Sequence, residues 1–337
     1  MADWQNLVEA GHGRNHAAGG AYNPPMRRLV IVTPDAEGFR AYISRHLPEL
    51  EVAIAPSDDF RAAQALVREA DMLLAWSLPP DLLTEAPRLR WVQSFGAGVD
   101  HLLAANVPAD VTITRIVDAF GPAMAEYVLG YCYATRLDIR RILEQQRRAE
   151  WRPFNASLLG GRTAVVVGLG SIGREVCRLL DAAGLRVLGV SRSGRPLPEA
   201  KQTFRVDQLE RVLPEADFLV LVLPLTPATH GLIGARQLEL LPSGAWLINI
   251  ARGAIVVESD LLAALRRGAL GGAVLDVFER EPLPPEHPFW KMDNVIVTPH
   301  VAGPDDTELI ARQFLENYGR LKSGRPLLGV VDRARGY

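Results

Sequence analysis

Val165-Val166-Val167-Gly168-Leu169-Gly170-Ser171-Ile172-Gly173 is an apolar run that ends in the pattern GxGxxG. Branching at Cβ suits valine to a strand. The first glycine permits a tight turn, the second lets backbone approach a pyrophosphate, and the third lets helix and strand lie close together. A helical pattern starts near Ser171, so its free N–H groups and its dipole face an anion. GxGxxG also occurs in other α/β turns. Here a strand precedes it, a helix follows and a second strand ends at Val190, which reads as a unit binding a nicotinamide dinucleotide.

Outward from this unit, short apolar runs alternate with helical stretches. After the turn come Arg186–Val190, Phe218–Leu223, Ala245–Ile250, Gly272–Val277 and Val295–Thr298. Before it come Leu29–Val32, Val52–Ala55, Met72–Trp76, Trp91–Ser94 and Thr112–Ile116, with helix-like segments such as Ala36–His46 and Asp59–Glu69 between them. Continuous apolar strands alternating with helices form parallel sheets covered on both faces. Two such series predict an α/β chain of two doubly wound parallel-sheet domains. Pro122 to Arg148 reads as one long helix crossing between them, with Pro122 in its first turn. A last helix, about 305 to 322, is expected to return to the first domain. The expected division is a flexible lead-in at 1–25, a substrate domain at 26–121 and 301–337, and a dinucleotide-binding domain at 122–300.

Composition narrows the class. The chain has 337 residues, 48% of them hydrophobic, enough for two domains that each bury a core. It carries 37 basic and 39 acidic residues, a formal net charge of -2. No long block of one sign stands out, which argues against nucleic acid or a membrane surface as partner. The longest apolar runs, such as Ala245 to Ala251, are too short to span a bilayer. Residues 1–25 contain Asp3 and Glu9 and no continuous apolar stretch, unlike a signal peptide. Cys132 and Cys177 form no CxxC pair, so neither a disulfide nor a metal site is expected, and a reducing, cytoplasmic setting is.

The end of the second strand selects the cofactor. A carboxylate there would bind the ribose hydroxyls of NAD. The chain has Ser191-Arg192-Ser193-Gly194-Arg195 instead. Ser191 is not acidic, and Arg192 and Arg195 can hold a 2′-phosphate, so NADP(H) is expected in preference to NAD(H). The alternative is that both arginines are solvated loop residues.

Three further segments place polar residues at strand ends, where open α/β sheets bind ligands. They are Asn249 to Gly253 with Arg252, Asp276 to Leu283 with Glu281, and Thr298 to Gly303 with His300. Singly, each has an ordinary reading: a helix-start arginine, a solvated acid, a packed loop histidine. Together they supply what carbonyl reduction needs. A histidine can give a proton to the carbonyl oxygen, a carboxylate favours the imidazolium form, and an arginine clamps and polarises the substrate.

These pieces, with Ser94-Phe95-Gly96-Ala97-Gly98-Val99-Asp100 and Ala125-Glu126, resemble the D-isomer-specific 2-hydroxyacid dehydrogenase family from about residue 28 onward. The resemblance implies a flavodoxin-like substrate domain and a Rossmann cofactor domain. It makes Arg252 the substrate clamp, His300 the acid–base and Glu281 its orienting carboxylate. It implies that the N–H groups of Ala97 and Gly98 hold the substrate carboxylate. Its cofactor contacts fall on Leu169, Gly170, Ser171, Ile172, Thr229, Ile250 and Asp276. Family members usually carry an acidic residue where this chain has Ser191 and Arg192. That departure is similar to the NADPH-dependent glyoxylate and hydroxypyruvate reductase branch, in which tryptophans, here Trp76 and Trp290, wall a small pocket; ordinary core packing is their other reading.

The expected activity is therefore reduction of a small 2-keto acid, with a homodimer implied by the resemblance. Rival readings stay open. Phosphoglycerate dehydrogenases share the motifs, though many add a regulatory domain for which little chain remains after the last helix. Formate dehydrogenases pair the histidine with glutamine. Phosphite dehydrogenase has a similar triad, and corepressors of this fold bind the dinucleotide without turnover.

Overall fold

The computed structural model describes residues 26–33, 36–56, 59–79, 81–304 and 306–337, so the expected lead-in at 1–25 lies outside the described residues. The first part of the chain gives β1 (Arg28–Val32), α1 (Glu37–His46), β2 (Glu51–Ile54), α2 (Phe60–Arg68), β3 (Met72–Ala75), β4 (Trp91–Ser94), α3 (Asp100–Ala104) and β5 (Thr112–Thr114). Next come α4 (Gly121–Arg136), α5 (Ile139–Arg147), β6 (Thr163–Val167), α6 (Ser171–Ala182), β7 (Arg186–Ser191), β8 (Gln202–Arg205), α7 (Leu209–Val212) and β9 (Phe218–Leu221). The remainder is α8 (Ala235–Glu239), β10 (Trp246–Asn249), α9 (Glu258–Arg266), β11 (Gly272–Leu275), β12 (Val295–Val297) and α10 (Thr307–Lys322).

The strands form two wholly parallel sheets. The first has five strands in the order β2-β1-β3-β4-β5, the flavodoxin-like order. The second has seven, β12-β11-β10-β9-β6-β7-β8. Its chain starts in the middle at β6, winds out to β8 and returns on the other side at β9. The crevice at that reversal is where such sheets bind ligands. The apolar runs are strands buried along their whole length, as in β3, β6, β9 and β11, and β4 is fully buried too although it ends in the polar Gln93 and Ser94. Helices cover both faces, as the sequence pattern predicts.

Two details differ from the sequence reading. The single helix expected from Pro122 to Arg148 is two helices. Leu137 ends α4, and Asp138 sits in the left-handed region (φ 51°, ψ 51°) before α5 starts. A short polar side chain tolerates that conformation better than most. No residue of α5 is buried, so nothing in its packing holds it collinear with α4. The second difference is β8, an unexpected edge strand. Only Phe204 of its Gln-Thr-Phe-Arg sequence is buried, too faint an alternation to read as a strand.

The last helix returns to the first sheet as expected. Asp306 caps α10 by accepting from the N–H groups of Glu308 and Leu309. Phe314 stacks on Trp91 with ring centroids 5.0 Å apart. Both rings are fully buried, and burial of one such side chain contributes about 1.5–3 kcal/mol. Asn317, buried among them, donates to Gln93 Oε1 (3.1 Å) and accepts from Leu328 N–H (2.7 Å). Beyond α10, Val331 N–H donates to Ile113 O and Arg115 N–H to Gly329 O, both 2.9 Å, which adds a short antiparallel bridge beside β5. The chain thus crosses between the two sheets twice.

Candidate active site

β6 delivers the glycine-rich turn into the crevice. Gly168 has φ +105°, and a Cβ on it would lie 2.1 Å from Val222 O. A Cβ on Gly173 would lie 1.9 Å from Gly168 O, so α6 touches the strand that feeds it. A Cβ on Gly170 would meet nothing within 4 Å, because that side faces open space. Gly170 also caps α6 with no side chain over the helix end, which leaves the first N–H groups free for an anion. These features fit a dinucleotide pyrophosphate.

The turn lines one large cavity of about 1490 Å³. An ordinary pocket for one small ligand measures about 300–1,000 Å³, so this one has room for a cofactor and a second molecule. Gly168 to Gly173, Ser191, Arg192, Thr229, Ile250 and Asp276 line it from the second sheet, and Trp76, Ala97 and Gly98 from the first. Arg252, Glu281 and His300 line it as well. Arg195 and Trp290 lie outside this lining. Arg195 is exposed on its loop. Trp290 is 49% exposed, and its indole N–H donates to Pro284 O (2.9 Å). Of the expected pair, Trp76 lines the cavity and Trp290 does not.

Close backbone approaches bring the polar residues together. A Cβ on Gly253 would sit 1.9 Å from the carbonyl carbon of Phe278, so the loops after β10 and β11 touch. Glu281 is tied into the second of these by Phe278 N–H, which donates to its Oε1 (3.0 Å). Its other oxygen, Oε2, lies 2.8 Å from His300 Nδ1. Burial pushes the Glu281 carboxyl up, but hydrogen bonds from His300 and Phe278 N–H, with the charges of His300 and Arg252, outweigh it. The net shift is below the ordinary carboxylate range, and Glu281 stays an anion beside the imidazole.

His300 is held in a strained conformation, φ 54°, of the kind that costs about 1–3 kcal/mol and clusters at functional sites. Its N–H donates to Asp276 O (2.9 Å) and lies 3.1 Å from Thr298 O. Asp276 also fixes the rest of that loop. Its Oδ1 accepts from Thr298 Oγ1 (2.6 Å) and Val301 N–H (2.9 Å), and its Oδ2 from Ala302 N–H (2.9 Å). Asp276, expected as a cofactor contact, thus has its carboxylate engaged in shaping the loop that carries His300. Thr229 similarly stabilises its own turn, donating to Pro224 O (2.7 Å) and accepting from Thr226 N–H (2.8 Å).

Arg252 reaches from the second sheet to the first. Its Nε donates to Asp100 Oδ1 (3.0 Å) and its Nη1 to Ala251 O (2.8 Å). Its Nη2 is buried with no protein partner. That nitrogen lies against Gly98, where a Cβ would fall only 1.9 Å away. A charged donor left open in a pocket, beside a loop of backbone N–H groups, is a site for a carboxylate or a carbonyl oxygen. Gly98→Ala is accordingly expected to fold yet swing Arg252 off its position. Steady-state kinetics should show a loss of about a hundredfold in kcat/KM for a carboxylate substrate, the scale of a displaced catalytic group.

Sequence reasoning assigned no role to Asp100 or His101. Asp100 begins α3, and its link to Arg252 spans 152 positions, which no local pattern could show. His101 lies tilted by 31° against Trp76 with ring centroids 4.6 Å apart, and Trp76 in turn meets His300 edge-on at 5.9 Å. Burial, followed by Arg252 and His300 and opposed by Asp100, pushes the His101 imidazole down to about 4. The shift favours the neutral imidazole, which packs against Trp76. His287, which has no partner nearby in sequence, pairs with Glu258 at 2.9 Å.

A glycine-rich turn shaped for a pyrophosphate, facing a paired histidine and carboxylate and an arginine with an open donor, fits an NAD(P)-dependent oxidoreductase. Residues 129–302 match the family model for the NAD-binding domain of D-isomer-specific 2-hydroxyacid dehydrogenases. The chain is 37% identical over 313 residues to glyoxylate/hydroxypyruvate reductase A of Serratia proteamaculans (strain 568), covering 90% of this chain and 97% of that one. Among solved structures it is similar to an NADPH-dependent glyoxylate/hydroxypyruvate reductase from Sinorhizobium meliloti in complex with NADP and sulfate (TM-score 0.84, 35% identity, 92% of this chain and 100% of that chain). A D-isomer-specific 2-hydroxyacid dehydrogenase from Xanthobacter autotrophicus Py2, in complex with NADPH and MES, is comparably close (TM-score 0.83, 35% identity, 93% and 100%). The chain belongs to the D-isomer-specific 2-hydroxyacid dehydrogenase family and is an NAD(P)-dependent enzyme of that class.

Proposed function

We propose that this enzyme reduces a small 2-keto acid, glyoxylate or hydroxypyruvate, to the D-2-hydroxy acid with NADPH. The observation that carries the reading is the meeting, in one cavity, of His300 paired at 2.8 Å to Glu281 with the unpartnered Nη2 of Arg252 over Gly98. When bound, the cofactor supplies the hydride. The residues of the chain do the rest. The N–H groups of Ala97 and Gly98 and the open edge of Arg252 bind the substrate carboxylate and draw charge from its carbonyl. Glu281 holds Nδ1 of His300, which leaves Nε2 to deliver a proton to the carbonyl oxygen. Trp76 limits the room for a side chain and so favours small acids.

Gly168 to Gly173 would hold the pyrophosphate, while Thr229, Ile250 and Asp276 would line the remainder of the dinucleotide site. Ser191 and Arg192 at the end of β7 would receive the 2′-phosphate. One charge-assisted contact of this kind contributes about 1.5–3 kcal/mol, so kcat/KM for NADPH is expected to exceed that for NADH by roughly 10- to 100-fold. Steady-state assays with each cofactor and one keto acid measure this ratio directly, and a value below one would refute the preference.

The division into a substrate body (26–121 and 301–337) and a cofactor body (122–300) belongs to the same reading, as do a homodimer and a cytoplasmic location. Among the described residues, no helix is long and apolar enough to cross a membrane.

A further inference from the structure

The segment after the short bridge at Val330 has no part in the reading above, yet it lines the same cavity. Arg333 anchors it to the first sheet's side. Its Nη1 donates to Val107 O, and its Nη2 to Pro108 O and Val111 O, all at 2.7 Å. Asp332 folds the segment back on itself. Its Oδ1 accepts from Ala334 N–H (3.0 Å), its carbonyl from Gly336 N–H (2.9 Å), and its own N–H donates to Tyr337 O (3.1 Å). Gly336, at φ +80°, makes the reversal and lies against Thr226 of the cofactor side, where a Cβ would meet Thr226 Cγ2 at 3.3 Å. The strap therefore starts on one body and ends on the other.

Its far end is half-buried Tyr337, and the guanidinium carbon of Arg192 lies 5.8 Å over the centre of that ring. Arg192 and Tyr337 line the cavity together, with Thr226 and Arg335 beside them. A guanidinium seated on an aromatic face is held by cation–π attraction, while its N–H edge stays free for a bidentate anion. Arg192 is otherwise an exposed loop side chain, which would lose its rotamer freedom on binding a phosphate.

We propose that Asp332–Tyr337 is a strap closing the adenosine end of the cofactor cleft, and that Tyr337 is a positioning residue that pre-orders Arg192 for the 2′-phosphate of NADPH. This rests on the NADPH reading above. The advantage of pre-ordering one long side chain corresponds to roughly three- to tenfold in affinity. The test is a double-mutant cycle on the full chain, with dissociation constants for NADPH and NADH read from nicotinamide fluorescence. Tyr337→Ala and Tyr337→Leu are expected to weaken NADPH binding by roughly three- to tenfold and NADH binding less, with the kinetic loss in KM for NADPH rather than in kcat. Tyr337→Phe keeps the ring and should restore wild-type affinity. Arg192→Ala should weaken NADPH binding further, and adding Tyr337→Ala to it should change nothing more. If Arg192→Ala weakens NADPH binding while Tyr337→Ala and Tyr337→Leu leave it within twofold, the role of Tyr337 is overturned and the phosphate reading stands. Full additivity in the double variant overturns that role as well. If Arg192→Ala has no effect on NADPH, the phosphate reading itself fails and the inference falls with it.

Discussion

His300→Ala is expected to lower kcat for keto-acid reduction by about 10²- to 10⁴-fold, the range for loss of a positioned general acid. The geometry makes this side chain hard to replace. The backbone at residue 300 is left-handed and tied to Asp276 and Thr298, so no neighbour can move into its place without unravelling the loop. Glu281 engages only Nδ1, which leaves the opposite nitrogen for the reacting oxygen. Binding of the cofactor should be nearly unaffected, because the glycine turn and β7 do not depend on the imidazole. Single-turnover kinetics with NADPH bound in advance separate the two effects. A slow chemical step with an unchanged dissociation constant for NADPH is the expected result, and turnover within a few-fold of wild type would remove His300 from the mechanism. Glu281→Gln keeps a hydrogen-bonding side chain but loses the anion, and its defect should be smaller than that of His300→Ala.

Arg252→Ala is expected to reduce kcat/KM for the keto acid by about 10³-fold or more, divided between a higher KM and a lower kcat. Removing a single preorganised donor to a developing oxyanion lowers kcat by about 10²–10³. Loss of the carboxylate clamp adds to KM, since that contact is made in both ground and transition states. The variant also leaves Asp100 facing the cavity without its cation, a negative charge where an anionic substrate must sit. Arg252→Lys retains charge but has no planar fork, so it should recover part of KM and little of kcat. Measuring both constants for both variants checks the account. An unchanged KM in Arg252→Ala would mean that the open nitrogen over Gly98 does not meet substrate.

Much of this architecture is legible in the chain because parallel sheets buried on both faces leave a strong imprint. The runs at Met72, Phe218 and Gly272 are unbroken apolar segments and that at Thr163 nearly so, and each became a fully buried strand, as did the mixed run at Trp91. The glycine turn is legible for the same reason: at Gly168 and Gly173 any side chain would strike backbone, so the sequence has no freedom there. β8 left a weaker imprint, because an edge strand with one buried residue needs no apolar run. The break at Asp138 was hidden since α5 buries nothing, so no apolar stripe marks the change of direction, and no proline or glycine stands at the junction.

The site divides along similar lines. Residues that sit just past strand ends could be named from the topology alone, and the cavity gathers Arg252, Glu281 and His300 in one place. Contacts between segments far apart in sequence could not. The pairing of Asp100 with Arg252 and the approach of Tyr337 to Arg192 both join residues from the sides of the two sheets, and no periodicity encodes them. Asp276 shows a related limit. A sequence can place a carboxylate at a strand end, but not reveal that its oxygens are engaged by Thr298, Val301 and Ala302.

The most direct test of the account is the rate of NADPH oxidation by the purified protein with glyoxylate and with hydroxypyruvate, beside His300→Ala as control. Rapid turnover of at least one of these acids, at least ten times more efficient with NADPH than with NADH and largely abolished in the control, is the predicted result. Absence of turnover with either acid and either cofactor, from protein that still binds NADPH, would contradict the proposed reaction and leave a dinucleotide-binding protein in its place.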